Sequence, residues 1–134
     1  MEQTPVSDCI FCKISKGEMP CYKVWENADF LAFLSIFPEI EGMTIVIPKK
    51  HYDSYIFEQG REVINNLMSA CGDVAKILDS KLGCTRTKLV FEGLEVSHLH
   101  AKLYPMYLGV EENRHTKKAG EKELNDVLNK ILQT

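Results

Sequence analysis

The stretch His98-Leu99-His100-Ala101-Lys102-Leu103-Tyr104-Pro105 alternates polar and apolar residues with a period of two. On a strand this pattern sends His98, His100, Lys102 and Tyr104 to one face and Leu99, Ala101 and Leu103 to the other. The apolar row needs a core beneath it, so the chain must build a sheet with at least one covered face. Successive members of the polar row stand roughly 6.6 Å apart. Imidazole, ammonium and phenol groups in such a row suit the holding of an anion such as a phosphate. One H-x-H taken alone is better explained by two solvated strand histidines. The rest of the chain decides between these readings.

At 134 residues the chain is long enough for one domain with a true core, taken as 1–134, and too short for two. A net charge of −3 argues against general nucleic-acid binding, which needs a basic surplus. The basic clusters Lys49-Lys50 and Arg114-His115-Thr116-Lys117-Lys118 read as solvated surface, and no specific nucleic-acid partner is expected. No apolar run reaches the roughly 18 residues of a membrane span. Met1-Glu2-Gln3-Thr4-Pro5 lacks the basic and apolar regions of a secretory leader, so a cytoplasmic protein is expected. Five cysteines, an odd count, fit reduced thiols better than a disulfide framework. Cys21, Cys71 and Cys84 read as small apolar fillers. Cys9 and Cys12 differ, because C-x-x-C lets two thiolates converge on one metal ion.

Strands are predicted at 22–26, 30–34, 43–48, 87–91 and 98–104, with Asn27-Ala28-Asp29 as a tight turn between the first two. A long helix is predicted over 61–82, with Val63, Leu67, Ala70, Cys71, Val74, Ile77 and Leu78 as its apolar stripe and Gly83 as its stop. A short N-terminal helical turn carries Phe11 and Ile14, and a second amphipathic helix spans about 120–132. Strands grouped around one long helix indicate an α+β domain with an antiparallel sheet.

Cys9-Ile10-Phe11-Cys12-Lys13-Ile14, Val24-Trp25-Glu26-Asn27, Leu31-Ala32-Phe33-Leu34 and Gly42-Met43-Thr44-Ile45-Val46-Ile47-Pro48-Lys49-Lys50-His51 precede the H-x-H stretch. In order and spacing this set resembles the histidine-triad (HIT) nucleotide-binding family over about residues 7–108. The resemblance implies a five-stranded antiparallel sheet that pairs with a second copy in a homodimer. It implies a nucleotide or another phosphorylated small molecule as partner. By the family's pattern His100 is the nucleophile that attacks an α-phosphate, giving a nucleotidyl-histidine that water hydrolyses. Ile10, Phe11, Ile14, Phe33, Ser35 and Ile36 match the nucleotide pocket. Zinc-bearing members pair the C-x-x-C thiols with a histidine matching His51 and one from the triad. The expected set is therefore Cys9, Cys12, His51 and His98, holding a structural zinc.

The match departs from the family at several places. Lys102 stands where the third histidine belongs, as a cation beside the nucleophile rather than a neutral-pH proton donor. Ser35 stands where an aspartate usually grips the ribose hydroxyls. Phe91 and Leu94 stand where Asn and Gln commonly contact phosphates, and Glu95 adds a negative charge. Either the substrate differs from the usual purine nucleotide, or the chemistry is lost. Three readings follow: a phosphoramidase or dinucleotide-hydrolase type of enzyme using His100 and Lys102, a non-catalytic zinc-stabilised binding dimer, or a scaffold that serves only a protein partner.

Overall fold

Five strands, β1 (Lys23–Glu26), β2 (Phe30–Leu34), β3 (Thr44–Pro48), β4 (Arg86–Val90) and β5 (Ala101–Met106), form one sheet ordered β1-β2-β3-β5-β4. The computed structural model describes residues 6–113 and 117–133. Residues 1–5, on which the leader expectation rests, and 114–116 of the second basic cluster lie outside the described residues. Every pairing in the sheet is antiparallel. The α+β architecture read from the sequence is the one observed.

Asn27 makes the first hairpin. Its Oδ1 accepts from the amides of Asp29 (3.0 Å) and Phe30 (2.8 Å), doing the work of a backbone turn. The helices are α1 (Ile10–Ser15), α2 (Arg61–Leu82) and α3 (Glu121–Leu132). The bounds of α2 are those predicted. Gly83 ends the helix at φ +68°, a left-handed position that glycine takes without the Cβ clash.

The pleat sorts side chains onto two faces of the sheet. Ala32, Leu34, Val46, Ala101 and Leu103 face one way and pack with Leu67, Val74 and Leu78 of α2 and with Leu124, Val127 and Ile131 of α3. Full burial of one such Leu or Val is worth about 1.5–3 kcal/mol. Leu31, Phe33 and Ile47 face the other way and pack under α1, with Cys9, Phe11 and Cys12. Lys102 and Tyr104 stand on this second side, as the alternation requires.

The alternating stretch enters the sheet later than the pattern suggests. Residues 98–100 precede β5, and the Leu99 amide donates to the Tyr52 carbonyl instead of to a strand neighbour (2.9 Å). Only Thr44, Ile45 and Val46 of β3 are paired with β5. Beyond them the chain is held by the segment that follows Pro48. Two cysteines also differ from expectation. Cys71 is core filler, but Cys84 is only half-buried, its thiol 3.4 Å from Asp79 Oδ1, and Cys21 lines a cavity.

Candidate active site and metal cluster

Cys9 caps α1: its Sγ accepts the Cys12 amide at 3.4 Å, the knuckle that turns both thiols the same way. His51 follows β3, and His98 precedes β5 across from it. Cys9 Sγ lies 3.3 Å from His98 Nδ1. Cys12 Sγ lies 3.3 Å from His51 Nδ1 and 3.5 Å from His98 Nδ1, and the two Nδ1 atoms are 3.2 Å apart. All four ligand atoms fall within 4.8 Å of one another. A tetrahedral ion bonded at about 2.3 Å to sulfur and about 2.05 Å to nitrogen has ligand–ligand edges of about 3.3–3.8 Å. The cluster already has close to those dimensions, so it could hold a metal ion.

The surroundings fix the chemistry of the donors. His98 Nε2 donates to the Pro48 carbonyl at 2.8 Å, so in the neutral ring Nδ1 presents a lone pair to the cluster. Burial pushes His98 down to about 4, against the raising effect of that carbonyl, so the ring is neutral near pH 7. Burial and then the Cys9 thiol push Cys12 up to about 11. A cation at the centre would reverse that preference, because metal binding takes the thiolate form.

On the same side of the sheet a cavity of about 400 Å³ opens between α1, the strands and two loops. Ile10, Phe11 and Ile14 line it from α1, Phe33 from β2, and Ser35 and Ile36 from the loop after β2. All six expected pocket residues meet there, with Ile10 and Ile36 partly exposed at its edge. Ser35 is buried; its Oγ accepts the Phe37 amide at 3.2 Å, which leaves the hydroxyl hydrogen as a donor.

His100 and Lys102 also line the cavity, though both are almost fully buried. His100 Nδ1 donates to the His98 carbonyl at 2.7 Å, so Nε2 carries the lone pair. The Phe11 ring stands edge-on to His100, centroids 5.2 Å apart at 78°. Burial lowers the His100 pKa and the Lys102 charge lowers it further, while the His98 carbonyl, Glu95 and Glu92 act the other way. Lys102 Nζ reaches Glu92 Oε1 at 3.3 Å and Glu95 Oε1 at 3.9 Å.

Two residues do not go where the resemblance puts them. Phe91 packs with the core on the α2 side of the sheet, and Leu94 is 72% exposed; neither lines the cavity. The sequence reading also missed lining residues. Met19, Pro20, Cys21 and Tyr22 close one side and Phe37, Glu39 and Met43 another. Most of these lie in connections without periodicity, where only chain tracing brings them together. Glu92, partner of Lys102, was equally hidden.

The HIT domain family matches residues 16–107 of the chain. The chain belongs to the HIT family. It is 35% identical over 128 residues to an uncharacterized HIT-like protein of Methanocaldococcus jannaschii, covering 92% of this chain and 98% of the relative. Over a shorter stretch of 43 residues it is 58% identical to an adenosine 5'-monophosphoramidase of Schizosaccharomyces pombe, 32% of each chain. The fold matches a zinc-bound histidine triad family protein from Mycobacterium smegmatis with a TM-score of 0.77, at 21% identity and 95% coverage of both chains. Among the described residues, no helix of this HIT protein is long and apolar enough to cross a membrane.

Proposed function

We propose that this HIT protein is a nucleotidyl hydrolase or transferase that works through a phosphorus–nitrogen intermediate on His100. The observation that carries the reading is the 2.7 Å bond from His100 Nδ1 to the His98 carbonyl. It commits the ring proton to one nitrogen and leaves Nε2 as the nucleophile, in a ring that lines the cavity. Ile10, Phe11, Ile14, Phe33 and Ile36 offer an apolar slot for a flat base, and Ser35 one hydrogen bond to the sugar. Lys102 supplies the positive charge for the α-phosphate. The named phosphoramidase relative supports this class of chemistry.

Zinc at Cys9, Cys12, His51 and His98 fits the same reading, supported by the cluster's dimensions and by the zinc-bound structural relative. Four protein ligands leave no open position, so its part is to tie α1 to the sheet. The edge strands β1 and β4 suit pairing with a second copy in a homodimer, which sedimentation at micromolar concentration would report as twice the chain mass. Free thiols fit a cytoplasmic location.

The test is a trapping experiment with adenosine 5'-phosphoramidate. Wild type should form an acid-labile adduct on His100 and release AMP. His100→Ala should lose both while melting as wild type does. One observation favours the alternative of a non-catalytic binding module: Lys102, which stands where the family's third histidine belongs, is already ion-paired with Glu92. Nucleotide binding without adduct in wild type and in Lys102→His would establish that alternative. Absence of any nucleotide binding would refute both.

A further inference from the structure

We propose that Glu92 and Glu95 determine which leaving group this site accepts, favouring an uncharged or cationic group such as an amine over a polyphosphate. The inference rests on the hydrolase reading above. Lys102 is the one cationic side chain lining the cavity among the described residues, and its side chain is only 7% exposed. An isolated buried ammonium would be a strong general anion trap. Here its charge is already answered, at 3.3 Å by Glu92 and at 3.9 Å by Glu95. Glu95 and Glu39 line the same cavity. The one positive charge beside His100 is thus paired with two carboxylates, and Glu39 adds a third on the cavity wall.

The backbone between the carboxylates is held in place. Gly93, between them, sits at φ +71°, and its carbonyl accepts from Ser54 Oγ at 2.8 Å. A Cβ on Gly93 would come within 2.5 Å of the Ser54 carbonyl oxygen, so the loop is seated where only glycine fits. The seated loop therefore keeps Glu92 and Glu95 on either side of Gly93 and within reach of Lys102.

An α-phosphoryl group with a single negative charge can share Lys102 with these carboxylates. A leaving group with several more negative charges must sit against them, and like charges at close range repel. With an amine leaving group the steps close. His100 Nε2 forms a bond to phosphorus as the phosphorus–nitrogen bond of the substrate breaks. The electron pair departs on the amine nitrogen, which takes a proton from water. Water then attacks phosphorus, the bond to His100 breaks with its pair returning to Nε2, and a proton passes to solvent.

The test compares kcat/KM for adenosine 5'-phosphoramidate and diadenosine tetraphosphate, using the full zinc-replete chain. Wild type should prefer the phosphoramidate. Glu95→Gln and Glu92→Gln should each cut that preference on the order of ten-fold, through faster polyphosphate cleavage. Glu95→Asp, which keeps the charge, should retain it. Added salt should narrow the wild-type preference, since Glu95 is exposed. A preference unchanged to within about two-fold in both glutamine variants overturns the inference and leaves the hydrolase reading standing. If neither substrate turns over, the hydrolase reading fails, and calorimetry with AMP and ATP decides. A preference for AMP that Glu95→Gln abolishes supports the charge filter, and one that persists, or no binding of either nucleotide, refutes it.

Discussion

Removal of zinc should unfold this protein at a much lower temperature, because the cluster that would hold it exists only in the folded chain. Four of the six donor pairs stand 3.2–3.5 Å apart, near the edges of a zinc tetrahedron, and all lie within 4.8 Å, so binding needs little rearrangement of the folded chain. The unfolded chain has no such array; Cys9 and His98 lie 89 residues apart. A ligand that binds only the folded state, free at about 1,000 times its Kd, stabilises by about 4 kcal/mol. For a domain of this size that is a rise in Tm of about 10–15 °C. Differential scanning calorimetry of protein as purified, after chelation, and after zinc is restored would show the fall and recovery. Elemental analysis should find one zinc per chain. Because burial holds the Cys12 thiol protonated up to about 11, zinc binding must expel that proton, and the zinc-dependent part of Tm should shrink as pH falls. Protein that is metal-free as isolated, with a Tm indifferent to zinc, refutes the assignment.

Leu67, fully buried where α2 meets the sheet, should lose about 2–5 kcal/mol on Leu67→Ala, read from guanidinium unfolding with an unchanged slope; a loss under about 1 kcal/mol would contradict its place in the core. Gly93→Ala should cost about 1–3 kcal/mol by the same assay, since both its φ of +71° and the Ser54 carbonyl oppose a Cβ. Burial pushes the Tyr104 phenol from the usual 10 up to about 12, so the folded chain keeps this proton longer than the unfolded one. That contribution to stability is intact below pH 10 and is lost as pH rises towards 12. Ultraviolet titration should show late-ionising tyrosine, and Tyr104→Phe should flatten the alkaline decline in stability.

Much of this was readable because the signals were local or chemical. The α2 stripe at 67, 70, 71, 74 and 78 and the stop at Gly83 fix a helix that tertiary contacts only confirm. The cysteines and histidines of the cluster were legible as types of donor, whatever their distance along the chain. The late start of β5 was not. It depends on a hydrogen bond from Leu99 to Tyr52, a pairing no periodicity encodes. Phe91 and Leu94 misled for a related reason. Matching by position assumed that the 91–97 loop follows the family's path, whereas the seat of Gly93 against Ser54 sends one side chain into the far core and the other into solvent. The pairing of Lys102 with Glu92 was likewise invisible until that loop was placed.

The six residues of α1 bear on two places at once. Cys12, with its cap Cys9, belongs to the cluster, while Ile10, Phe11 and Ile14 from the same two turns wall the cavity. So short a helix has little order of its own. Whatever grips the thiols also seats the wall, and whatever fills the cavity also presses the thiols home. Thermodynamic reciprocity then requires that each occupant tighten the hold on the other by the same factor. A titration of a cavity ligand would thereby also measure how firmly the chain would hold a metal at the cluster.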